Sequence, residues 1–481
     1  MLEQYIELLK GKIQELEEDD PTRVRLHHPH ASIRPQPPAA QQRWWEMPEP
    51  PRREAHTIVT HFIPHAQKFG FFLDVNRFMT AFFTPTDEKP RPPSVLRNAV
   101  YLWGIHLSQD PSITAHEPQF LTRALNGIVE GLSNQPRNTL SILQAEVLLA
   151  YYFFHNGRLL EGGYHAGAAV SLAVMCDLHK IPTRQGRRPG ADPSSLDLRS
   201  MGLHGLSLPP PKDAIEEGER IHAWWTTYVL DKAWVVARNS PSAIYDDGNN
   251  EASRIDTPWP LELNQYGQVP RTAGGRTIQS FLESLPTGRV DAPSFLAMQA
   301  QAATLYERAS KLASVPDSAV RQEDCVALDR LLEAYKQILT PYVRHENEAG
   351  AHPILVAYSL VQCAIIHLHS RFVARSTTSR SRCLGAANGA VRALMTLPTR
   401  NFKYVNPILA VLWKTTNDVI VGSLGSMRSM RSAWASSSAL PGEEGLESAR
   451  QQLSTAMDYF SQTSPFIKDQ LAEIRQARAT T

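Results

Sequence analysis

The stretch PPPKDAIEEGERIHAWWTTYVLDKAWVVARNSP, Pro209 to Pro241, decides the fold class. Three prolines forbid helix up to Pro211, and Asp213 is then free to cap a first turn, with Glu216 reaching back in an acidic capping box. Glu216, Glu217 and Glu219 put negative charge at the positive end of the helix dipole. Ile221, Trp224, Trp225, Tyr228, Val229, Lys232, Val235 and Val236 follow at helical spacing and form one broad aromatic face. Asn239, tolerant of the left-handed conformation, and Pro241 close the helix. The chain then continues to Pro260 as an acidic, proline-punctuated strap. The three tryptophans of this helix, Trp224, Trp225 and Trp234, have two readings: core packing, or the lining of an effector pocket between helices.

Working outward, the same helical period recurs along most of the chain. Upstream it predicts an aromatic-rich segment from Ile58, then helices from Ser94, over Pro118–Leu132, over Thr139–Asn156 and over Leu160–Cys176. The last is dense in glycine and alanine, which predicts close backbone approach to its neighbours. Downstream, helices are expected at 294–314, 317–340, 353–376, 383–396, 406–423 and 446–478, with a Ser/Gly/Met-rich break at 423–447. Strand signals are nearly absent, so the expected class is all-α. A length of 481 residues favours two intimately packed helical halves, and 42% apolar content suffices for a core.

Leu2, Ile6, Leu9, Ile13 and Leu16 alternate in steps of four and three, a heptad seam with isoleucine at a and leucine at d. Two arrangements are compatible with it: a short parallel coiled coil over residues 1–18, or an amphipathic helix docked on its own domain. Residues 19–57 read as a Pro-rich linker, with seven prolines between Pro29 and Pro51. The basic, glycine-containing stretch 182–211 reads as a solvated loop.

Charge and motifs narrow the function. Lysine and arginine number 49 against 48 acidic residues, a net charge of +1, which supplies no general cationic excess for phosphate neutralisation. Cys176, Cys325, Cys363 and Cys383 form no C-x-x-C pair, so no zinc site is expected in this chain. No secretory leader pattern opens it, and no run approaches the ~18–20 apolar residues of a membrane span, so an intracellular compartment without membrane contact is expected. His345-Glu346 lacks a second histidine, and no nucleophile elbow, Walker loop or dinucleotide fingerprint occurs. One enzymatic alternative is an all-α terpene synthase. Asp246, Asp247, Asn250 and Glu251 superficially match its first magnesium motif and Asn417-Asp418 the second. Val421 and Gly425, however, stand where the second motif needs oxygen ligands. A helical scaffold without a gene-regulatory role is another alternative.

A resemblance points elsewhere. Gln144 and Ala145, Gly157 and Arg158, Gly167 to Ala169, Leu178 and His179, Glu219 and Arg220, Trp224 and Trp225, Asp231, and Asn239 to Pro241 fall in the order of a known pattern. The pattern is that of the middle homology region of fungal zinc binuclear cluster transcription factors, which this chain resembles from roughly Thr57 to Pro260. Asp177 and Asn239 stand where that family often has glycine, and both residue types visit the left-handed region more readily than most. The resemblance implies an all-α regulatory domain over 58–265, continued by a C-terminal helical part over 266–481. It implies a nuclear regulator that dimerises with itself or with related regulators and acts on the transcription machinery, gated by a small-molecule effector. In that family the coil follows a six-cysteine zinc cluster. Here only Met1 precedes it, so the expectation is no zinc or other cofactor in this chain and only indirect contact with DNA. Asp231 is expected to be a structural partner of Arg158 or Arg220.

Overall fold

Helix α1 opens at Arg52, directly after Pro51, and turns Ala55, Ile58, Val59 and Phe62 inward at the 3–4 spacing of a buried stripe. The computed structural model describes residues 43–481 and, before them, 7 and 10–12; within 43–481 it leaves out 88–89, 135–137, 182–207, 247–249, 269–275, 284–293, 317–320, 346–347, 434–441 and 480–481. It divides into Met1–Pro51 and Arg52–Thr481. In the first unit, residues 7 and 10–12 are helical. All five seam residues, Leu2, Ile6, Leu9, Ile13 and Leu16, lie outside the described residues.

In the second unit α1 (Arg52–Phe62) leads through a 3-10 turn, closed by left-handed Gly70, to α2 (Val75–Phe83). Then follow α3 (Ser94–His106), α4 (Glu117–Asn134), α5 (Thr139–His155), α6 (Leu159–Met175) and α7 (Ala214–Ala237). A loop region and α8 (Thr277–Glu283) lead to α9 (Phe295–Ser314), α10 (Gln322–His345) and α11 (Glu348–Ser370). The last four are α12 (Thr377–Thr396), α13 (Ile408–Ala433), α14 (Glu443–Ser461) and α15 (Pro465–Ala479). No strand occurs among the described residues, and the fold is all-α.

Several expected boundaries need correction. The linker expected to reach residue 57 gives way to α1 at Arg52, because four of its eleven residues bury apolar side chains. The division at 265/266 is absent from Arg52–Thr481, where α9 packs on both α7 and α11. Tyr404 donates to the Leu107 carbonyl at 2.9 Å and His155 Nε2 to the Thr463 carbonyl at 2.9 Å, tying early helices to late ones. The expected break at 423–447 is helix as far as Ala433. The expected helix 446–478 is instead two, because Pro465 cannot continue α14 and starts α15. A further correction concerns α11: Gly350–Ser370 is long and apolar enough to cross a membrane, although the sequence reading found no such run. In the fold 89% of that apolar window is buried, because α9, α10 and α12 surround α11.

Candidate functional site

Helix α7 forms as its sequence dictates. Asp213 accepts the Glu216 N–H at 2.9 Å, and Glu216 accepts the N–H of Lys212 at 3.0 Å, one residue earlier than a capping box requires. Asn239 ends it at φ 48 and Asp177 turns the chain after α6 at φ 54, so both residues take the left-handed conformation expected of them. Trp224, Trp225, Tyr228 and Trp234 are among the most deeply buried large side chains, which makes them core. Trp234 stacks on Phe154 at 3.6 Å and Trp225 on Trp259 at 4.3 Å.

The strap after α7 runs back along the helix without a backbone ladder, so its carbonyls need side-chain donors. Helix α7 provides them in reverse order. Lys232 Nζ donates to the Ile244 carbonyl at 2.9 Å, Trp225 Nε1 to that of Pro258 at 2.7 Å, and His222 Nε2 to that of Leu261 at 2.6 Å. At the next turn Gly218 lets the Tyr266 ring approach: a Cβ there would stand 2.6 Å from it. Burial holds the His222 imidazole down to about 4, so it serves as a neutral N–H donor. His179 latches the strap from the other side, its Nε2 donating to the Ala252 carbonyl at 3.1 Å while its own carbonyl accepts from Asp256 and Thr257. The Leu178 carbonyl accepts the Thr257 hydroxyl at 2.5 Å.

The other signature residues hold turns. Gln144, fully buried, accepts from Phe72 N–H at 2.7 Å and donates to the Gly70 carbonyl at 3.0 Å. Gly157 sits at φ 72 after α5, and Arg158 pairs with Glu161 while lying over the Phe153 ring. Glu219 accepts the Asp74 N–H at 2.9 Å, and burial pushes its carboxyl up to about 7. Arg220 pairs with Glu216 at 2.6 Å. Asp231 therefore has neither expected arginine; it accepts the Ser242 hydroxyl at 2.5 Å and the Ala243 N–H at 3.2 Å. Gly167 also departs from expectation, since it faces open space. The close approach belongs to Gly162 and Gly163, against Phe154 and Arg238.

Beside Pro241 the strap, α7, α8, α9 and α10 enclose a cleft of about 760 Å³. Its polar end is built on Lys232 and Glu307, both buried and 3.6 Å apart, with Lys311 also paired to Glu307. Tyr228 and Thr304 hydrogen-bond at 3.0 Å across the same region. Ile278, Leu328 and Leu331 contribute apolar wall. Sequence reading missed this site. Its signal was a lysine on the apolar face of α7, and Glu307 on the buried face of α9 is its partner. Asp246, expected in an exposed strap, is half-buried at the cleft and accepts Gln279 Nε2 at 2.7 Å. Asp247 lies outside the described residues. Neither Asn417 nor Asp418 lines the cleft; both sit on α13, side by side at 3.5 Å. Among the described residues no group of three or more His, Cys, Asp or Glu side chains is placed to hold a metal ion.

The signature residues thus cap turns and latch a strap in a helical body that also encloses a cleft with an internal ion pair. Residues 62–298 match the model of the fungal specific transcription factor domain. The chain carries that domain, the middle homology region of fungal zinc cluster transcription factors, from the end of α1 into the first turn of α9. No curated protein and no solved structure matches the chain.

Proposed function

We propose that this chain is the regulatory and dimerisation portion of a zinc-cluster-type transcription regulator, acting in the nucleus on the transcription machinery and gated by a small molecule. The match of residues 62–298 to the fungal specific transcription factor domain carries the reading. The dimer partner is a second copy or a related regulator, DNA is reached indirectly through an associated protein that has its own zinc cluster, and these residues hold no cofactor. The heptad seam at Leu2, Ile6, Leu9, Ile13 and Leu16 supports dimerisation, because an apolar stripe of isoleucine at a and leucine at d favours two parallel strands. Sedimentation of the full chain tests it. The wild type is expected as a dimer, and Ile6→Glu combined with Ile13→Glu as a monomer with unchanged helix content. A dimer that survives the double substitution would take the contact away from the seam, and a monomeric wild type would refute self-association.

A further inference from the structure

We infer that the cleft between α7, α8, α9 and α10 is a ligand site for a small amphipathic amine, an apolar body carrying one protonated primary amino group. The inference rests on the effector-gated reading above and names where the effector sits and what it is. A volume of about 760 Å³ lies in the range of roughly 300–1,000 Å³ that holds small-molecule ligands.

The chemistry of the cleft selects the ligand. Lys232 is the cation at its floor; it donates to Ser242 Oγ at 2.8 Å and to the Ile244 carbonyl at 2.9 Å, and its ammonium stands 3.6 Å from the Glu307 carboxylate. Two of its three N–H groups are taken, and a ligand anion would have to compete with the adjacent Glu307 carboxylate for the third. Asp246 is in the opposite condition. One carboxylate oxygen accepts from Gln279, while the other, Oδ2, is buried and has no hydrogen-bond partner among the described residues. A buried acceptor without a donor is costly, and a ligand N–H removes that cost. Because the acceptor is a carboxylate, a protonated amine gains more than a neutral hydroxyl. Away from this end, Leu328 and Leu331 on α10 are only half-buried and Ala327 beside them is exposed, although all three line the cleft. Covering that wall is favourable for an apolar body.

Calorimetric titration of the full chain with n-octylamine, n-octanol and n-octanoate, which share one apolar body, tests the assignment. The expected result is saturable one-to-one binding of n-octylamine, with n-octanol weaker and n-octanoate at least tenfold weaker. Asp246→Asn should weaken n-octylamine at least tenfold. Ala327→Trp, at an exposed position of α10 where a larger side chain does not disturb the core, should block the cleft and abolish binding. Unchanged circular dichroism in both variants establishes that they fold. Absence of saturable binding, equal or tighter binding of n-octanoate, or n-octylamine binding that both variants leave intact would overturn the site. A transcriptional reporter separates the two readings. Binding at the cleft with no change in reporter output upholds the site and refutes gating; gating by another compound without n-octylamine binding overturns the site and leaves gating standing.

Discussion

Replacing Trp225 by alanine attacks the latch between α7 and the strap at its centre. The indole is fully buried, stacks on Trp259 at 4.3 Å, meets Tyr228 edge-on at 5.3 Å, and donates to the Pro258 carbonyl at 2.7 Å. Truncating a buried tryptophan costs about 3–5 kcal/mol through lost burial and the cavity left behind. The orphaned Pro258 carbonyl contributes about 1–3 kcal/mol of that loss in its own right. Arg52–Thr481 holds about 430 residues, and at ~2.1 cal/mol/K per residue its unfolding entropy is roughly 0.9 kcal/mol/K. The melting midpoint should therefore fall by about 3–6 °C in Trp225→Ala. Trp225→Phe keeps most of the apolar volume and loses mainly the N–H, so it should fall by about 1–3 °C. Thermal melts by circular dichroism and urea midpoints on matched samples measure both. A Trp225→Ala shift below 1 °C would refute the latch, and a Trp225→Phe shift equal to that of alanine would show that packing on Trp259 contributes nothing.

Three further outcomes follow from the same geometry. Burial raises the Glu219 carboxyl from 4.5 to about 7, so between those values the native state keeps a proton that the unfolded chain has released. This group's contribution therefore falls as pH rises from about 4.5 to about 7. Glu219→Gln should match the wild type in urea midpoint at pH 4.5 and exceed it at pH 7.5, and a constant difference would count against the shift. Lys232→Met leaves Glu307 with only Lys311 and removes the ammonium from Ser242 and the Ile244 carbonyl, which keep only their contacts with each other and with Asp231, so unfolding by urea should register a loss of about 3 kcal/mol. Asp177→Ala and Asn239→Ala, at φ 54 and 48, should each cost about 1 kcal/mol, whereas glycine at either position should be tolerated; equal urea midpoints for alanine and glycine would contradict this.

What the sequence made legible was local. The cap at Asp213, the stop at Asn239 and the left-handed turn at Asp177 depend on one or two residues each, and their chemistry can be read where it stands. The continuity of α9 with the first seven helices could not be read that way, because it depends on contacts between residues far apart in the chain. Helix α11 departs from the reading because Ser359, Gln362 and His367 interrupt its apolar run, while the hydropathy averaged along Gly350–Ser370 still reaches that of a span. At the cleft, Lys232 was visible as a cation on an apolar stripe, yet its meaning required Glu307, 75 residues away in sequence and 3.6 Å away in space. The departure of Asp231 from its expected arginines has the same origin. Ser242 lies eleven residues on, across a helix stop, and the return of the strap brings it within 2.5 Å.

The most direct test of the central claim is reporter output from the full chain fused to a foreign DNA-binding domain, on a promoter with intermediate basal activity so that a rise and a fall are equally visible. A regulatory portion of a transcription regulator predicts output that differs from that of the DNA-binding domain alone, in either direction, and returns to it when Trp225→Ala unlatches the strap. Output indistinguishable from the DNA-binding domain alone, with the fusion expressed and nuclear, would contradict the account.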